Sequence, residues 1–158
     1  MLKPEIIKLF LTGYKYTNDR EGFQYTEMDM SSHSIEAVPS AIAEFKMVTK
    51  LNLSGNNVVD IQHLTNLVNL TYLDLARNKI KNISVFANEE SFPNLRWLDV
   101  STNKFTEFPA LKIPKCEYLD ISFNKLEKVS EGWTGHENLK IIKSVDNKFK
   151  NLAPFRNM

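Results

Sequence analysis

The phrase YLDLARNKI at Tyr72–Ile80 returns as WLDVSTNKF at Trp97–Phe105 and as YLDISFNKL at Tyr118–Leu126. Leu, Asp, Asn and Lys hold their places while the residues between vary. One copy is too short to bury its own apolar side, so the copies must stack on one another. Self-similarity at this period therefore constrains the fold more than any other feature of the chain.

Aligned on the phrase, residues 25–158 divide into six units of the form L-x-x-L-x-L-x-x-N-x-L-x-x-L. The clearest runs Leu70, Leu73, Leu75, Asn78, Ile80, Ile83, and the next runs Leu95, Leu98, Val100, Asn103, Phe105, Phe108. The first is degenerate and places His33 where the others carry Asn56, Asn78, Asn103, Asn124 and Asn147. That column steps by 23, 22, 25, 21 and 23 residues. A side-chain amide both donates and accepts hydrogen bonds, so a buried Asn at a sharp turn can satisfy the backbone of its own rung and of the next. Left unpaired, such groups cost on the order of 1–3 kcal/mol each. The asparagines are thus expected to form a structural ladder, and Cys116, in a leading apolar position, to be a small core residue.

The pattern resembles the leucine-rich repeat family over residues 25–158. The resemblance implies an α/β solenoid: a right-handed horseshoe arc with a parallel sheet on the concave face and short helical or irregular segments on the convex face. Short units without paired cysteines resemble the cytosolic SDS-like class, whose members are non-catalytic binding scaffolds. They include phosphatase-1 regulators, the spliceosomal A-prime protein, tubulin cofactors and ciliary proteins. The N-terminal run LKPEIIKLFLTGYKY, leading into EMDMSSHSI, and the Pro-marked joints SFPNLRWLDV and KIPKCEYLDI resemble radial-spoke leucine-rich repeat proteins.

Along a short strand, side chains alternate between faces. With the leucines inward, the third and fifth positions of each unit face solvent. The third-position column reads Glu27, Lys50, Tyr72, Trp97, Tyr118, Ile141, and the fifth reads Asp29, Asn52, Asp74, Asp99, Asp120, Lys143. Tyr72, Trp97 and Tyr118 should stand side by side on consecutive rungs, the arrangement of an interface anchor. Asp74, Asp99 and Asp120 should run beside them and repel one another until a basic partner arrives. These six residues are the candidate partner-binding site on the concave face. A second column, Lys79, Lys104, Lys125 and Lys148, follows the ladder Asn along one rim.

The rest of the chain narrows the function by exclusion. Twenty basic residues against nineteen acidic ones give a net charge of +1, short of the basic excess that bulk nucleic-acid binding needs. His33, His63 and His136 are scattered. The chain has no HExxH, no CxxC and no phosphate-cradling glycine loop, and nothing points to an enzyme, a cofactor or a metal. A single cysteine allows no internal disulfide. The apolar N-terminal stretch is broken by Glu5 and Lys8, unlike a signal peptide, and this points to the cytoplasm. The sequons at Asn52, Asn69 and Asn82 then read as by-products of repeat composition.

Residues 1–24 are expected to form a capping helix, over residues 4–12 from Pro4 to a stop at Gly13, and a linker. At the other end Leu152 and Phe155 would cover the last rung only in part, so the array is expected to continue beyond the C-terminus or to meet a partner there. The reading is a protein–protein interaction scaffold of a large intracellular assembly, with an axonemal setting in a cilium or flagellum and axonemal or cytoskeletal partners. The alternatives are a regulatory subunit docking an enzyme such as a protein phosphatase, and an RNA-associated assembly factor resembling the spliceosomal A-prime protein.

Overall fold

The structure is a computed structural model that describes residues 7–12, 14–16, 23–130, 133 and 137–151, with side chains at all of these except 14–16 and 23–24. In chain order its strands are β1 (Tyr14–Tyr16), β2 (Phe23–Tyr25), β3 (Glu27–Asp29), β4 (Lys50–Asn52), β5 (Tyr72–Asp74), β6 (Trp97–Asp99), β7 (Glu107–Phe108), β8 (Tyr118–Asp120), β9 (Lys128–Val129) and β10 (Ile141–Lys143). Three residues cannot make a sheet alone. Each rung strand takes its backbone partners from the rungs on either side, in one six-stranded parallel sheet of order β10-β8-β6-β5-β4-β3. The register is the one the repeat demands: Met28, Leu51, Leu73, Leu98, Leu119 and Ile142 lie in one row.

Those rows fill the core. Leu51, Leu53, Leu70, Leu73, Leu75, Leu119, Ile121 and Leu126 are fully buried. The outer segments close it by two routes. In the earlier units 3-10 turns at Ser40–Glu44, Gln62–Asn66 and Ser84–Ala87 insert Ile42, Leu64 and Phe86. Later the outer chain is extended, and β7 pairs with β9 in parallel. The switch falls where the repeat is shortest and carries Pro109 and Pro114, which supply no N–H for a helical turn.

Asparagine joins the rungs behind the strands. Asn103 Nδ2 donates to the carbonyls of Leu75, Val100 and Ser101 at 2.9, 3.1 and 3.1 Å, and its Oδ1 accepts the Ile80 N–H at 3.0 Å. Asn56, Asn78 and Asn124 bond their own and neighbouring rungs in the same way, and all four are buried. Asn147 keeps bonds to Ile121 and Leu126 but is only half-buried.

The N-terminal helix expected over residues 4–12 ends earlier than expected, before Leu11. Pro4 and Gly13 lie outside the described residues. Within them Ile7 is α-helical and a 3-10 turn follows, Lys8–Phe10, that ends at Leu11. Leu11 is extended because it makes an antiparallel bridge to Met28, and the Thr12 N–H donates to the Glu27 carbonyl at 2.9 Å. The free edge of β3 thus gains backbone partners that a longer helix could not offer. Ile7 is fully buried, and Phe10 and Leu11 pack against the core. β1 and β2 form a separate antiparallel hairpin. At the far end Leu139, Ile142 and Phe149 are only partly buried. Leu152 and Phe155, expected to cover them, lie outside the described residues.

Candidate protein-binding face

The sheet's solvent face carries the two outward columns. Parallel register puts Tyr72 beside Trp97 and Trp97 beside Tyr118. The rings do more than stand in a row. Tyr72 and Trp97 stack with centroids 4.2 Å apart and planes 9° from parallel; Trp97 and Tyr118 stack at 5.0 Å and 4°. Lys143 Nζ then lies 5.3 Å from the centroid of the Tyr118 ring. The three side chains form one pile of rings capped by a cation, and such contacts add about 0.5–1.5 kcal/mol each beyond area burial. With the ring faces occupied by one another, a partner meets edges, hydroxyls and the indole rim.

The aspartates lie beside the rings, and besides repelling one another they hold the backbone. Asp74 Oδ1 accepts the Ala76 N–H at 2.9 Å, Asp99 Oδ1 accepts Ser101 N–H at 2.8 Å, and Asp120 Oδ1 accepts Ser122 N–H at 2.9 Å. Asp29 and Asn52 do the same for Ser31 and Ser54. Each side chain closes the turn by which the backbone leaves the strand. Burial, first, and the neighbouring carboxylate, in addition, push the Asp74 and Asp99 carboxyls above the usual range. Burial and the same two carboxylates raise the Tyr72 hydroxyl as well. Tyr118, first, and then Asp120 and Asp99 hold the Lys143 ammonium more firmly charged.

On the flank before the strands, Glu117 takes Arg96 at 2.9 Å and Lys140 at 2.6 Å, and these two cations lower its carboxyl. Cys116 lies beneath this triad, buried, with its thiol pushed up to about 12 by desolvation, which suits a packing role and not a nucleophile.

Two regularities escape the sequence reading. Asn69, Asn94 and Asn138 form a second amide column, donating to the carbonyls of Lys46, Val68 and Pro114 one rung back. Its signal was the Asn before the leading apolar residue, lost where Lys115 interrupts it. Lys143 is the other: reading its column as acidic hid that its exception reaches the aromatic stack.

With the geometry in place, comparison with known proteins agrees. The family model described as Leucine Rich repeats (2 copies) matches residues 46–88. The ectodomain of the receptor kinase SOBIR1 from Arabidopsis thaliana superposes with a TM-score of 0.68 at 19% identity, over 92% of this chain and 91% of that one. A Leptospira interrogans leucine-rich repeat protein gives 0.67 at 27% identity, over 79% and 33% of the two chains. The chain carries leucine-rich repeats and has the leucine-rich repeat fold. Among curated leucine-rich repeat relatives, Tsukushi of Gallus gallus is 27% identical over 81% of this chain and 36% of its own length. Leucine-rich repeat-containing G-protein coupled receptor 5 of Rattus norvegicus is 31% identical over 73% of this chain and 13% of its own. The chain thus spans well under half the length of these curated relatives. Leucine-rich repeats are in general non-catalytic modules that bind protein.

Proposed function

We propose that this chain is a non-catalytic scaffold whose protein partner seats on the solvent face of the sheet, anchored by Tyr72, Trp97 and Tyr118. The observation that carries this is the pile of three rings, 4.2 and 5.0 Å apart. Rings already held by one another lose little rotamer freedom on binding, so most of their contact energy is kept. Trp and Tyr are the residue types that dominate interface energetics. The aspartates, engaged in turns, shape the rim of this site and supply negative charge through their remaining oxygens.

The setting follows the sequence: a large intracellular assembly, with the N-terminal phrase pointing to the axoneme of a cilium. The receptor names among the relatives favour a different setting, a binding array outside the cell.

A photo-crosslinking residue at Trp97, compared with one at exposed Val59 on the outer side, separates the sheet face from the rest of the surface. Mass spectrometry of the product identifies the partner and hence the setting. The expected result is a discrete crosslinked species from position 97 alone, and loss of its co-purification in the Trp97→Ala, Tyr118→Ala double variant. Two such anchors at about 2 kcal/mol each predict a fall in affinity of about 700-fold if they add, and of at least the roughly 30-fold that one alone is worth. Identical crosslinks from both positions, or full retention by the double variant, would reduce the stack to a covering.

A further inference from the structure

Five ion pairs on this surface join opposite charges on neighbouring rungs. Lys50 meets Glu27 at 2.7 Å, Lys112 meets Glu89 at 3.0 Å, Lys128 meets Glu107 at 3.8 Å, and Arg96 and Lys140 share Glu117. Every pair joins residues one rung apart, because residues 21–23 positions distant are lateral neighbours here. On the rim a column of lysines departs from this pairing. Lys79, Lys104, Lys125 and Lys148 place the same charge on four successive rungs, all exposed, and none of the four forms an ion pair among the described residues.

No structural role explains the choice of lysine. The backbone N–H groups of these four residues donate to the carbonyls of Val58, Ile80, Phe105 and Leu126 at 2.8–3.1 Å, a task any residue but proline performs. The same bonds fix the lysines at the spacing of the rungs, about 5 Å. Like charges on neighbouring strands destabilise each other. The aspartate column, equally repulsive, has its turns to hold; the lysine column has only its charge.

We propose that this rim docks an extended, acidic polypeptide segment lying across the rungs, with carboxylates shared among the four ammonium groups. The column spans about 15 Å, which about five extended residues cover. A peptide is favoured over a phosphate backbone by the rim itself. Glu127 lies two residues beyond Lys125, and Asp146 two residues before Lys148. A phosphate chain brings a charge at every step and meets those acids, whereas a peptide can place neutral residues against them. The surface is separate from the aromatic face, so its success or failure leaves the reading of that face untouched.

The test titrates the protein into a fluorescein-labelled polyglutamate of about eight residues at low salt, followed by anisotropy, with a single-stranded oligonucleotide of equal charge as the rival. The variant K79Q/K104Q/K125Q/K148Q is compared with K50Q/K112Q/K128Q/K140Q, which removes the same charge from paired sites. The rim variant should bind the peptide about tenfold or more weakly, and the second variant as wild type does. Circular dichroism melting of each variant shows whether the sheet is intact, and K104Q/K125Q alone, a milder change, should weaken binding in part. Equal loss in both quadruple variants, no binding by wild type, or tighter binding of the oligonucleotide would overturn the proposal.

Discussion

At the scale of the residue, aspartate in this chain serves the backbone as well as the surface. Asp99 is raised above the usual carboxylate range because folding buries it, with Asp120 adding to the effect. A carboxyl whose folded value lies above its unfolded one favours folding in its protonated form. The penalty is therefore absent at low pH, grows as pH rises from the unfolded value, about 4, through the raised folded value, and is complete at neutrality. Asparagine would keep the oxygen that takes the Ser101 N–H and lose the charge; Asn52 already does this on its own rung. Urea unfolding at pH 7 should show Asp99→Asn at least as stable as wild type, while Asp99→Ala loses about 1 kcal/mol with the hydrogen bond. The outward direction of the column was legible from strand alternation. Its role was not, because it depends on where the backbone turns two residues later.

At the scale of the element, the decisive piece is the turn between strand and ladder Asn. Gly55, Arg77, Thr102, Phe123 and Asp146 each precede an Asn of the ladder and hold φ of +68°, +56°, +54°, +54° and +53°. The left-handed region costs residues with a Cβ roughly 1–2 kcal/mol, more comfortably borne by Gly. Only Gly55 announces the turn in sequence, and the other residues made the column look free to vary. β-branched Thr102 is the least suited of these. Thr102→Gly should raise stability by about 0.5–1 kcal/mol in thermal unfolding, the gain reduced by the flexibility glycine adds to the unfolded chain. The reverse change at Gly55 is strained by its φ of +68° and would also force Ser32 to move, since a Cβ there would lie 2.9 Å from Ser32 Oγ.

At the scale of the molecule, a solenoid is a row of units that touch only their neighbours, so a fault matters most where it has two sides to break. Asn103 is buried, its side chain bonded to its own rung and the one before and its backbone N–H donated to Asn124 on the one after, whereas Asn147 in the last described rung is half-buried. Asn103→Ala should cost about 2–4 kcal/mol by leaving several buried backbone groups unpaired, and Asn147→Ala about 1 kcal/mol. Equal losses in urea unfolding of the two variants would mean that the rungs do not share load in this way.

The repeat alone determined the rung period, the inward rows of leucine, and which residues share a column, since each follows from local alternation and a fixed spacing. The third dimension decided what neighbouring columns do to one another. Three aromatic residues in a row became a stack capped by Lys143, five cations found carboxylates one rung away, and the four rim lysines did not. Those outcomes depend on lateral register and side-chain reach between residues more than twenty positions apart. No single stretch of the chain carries that information, because it exists only once one rung lies against the next.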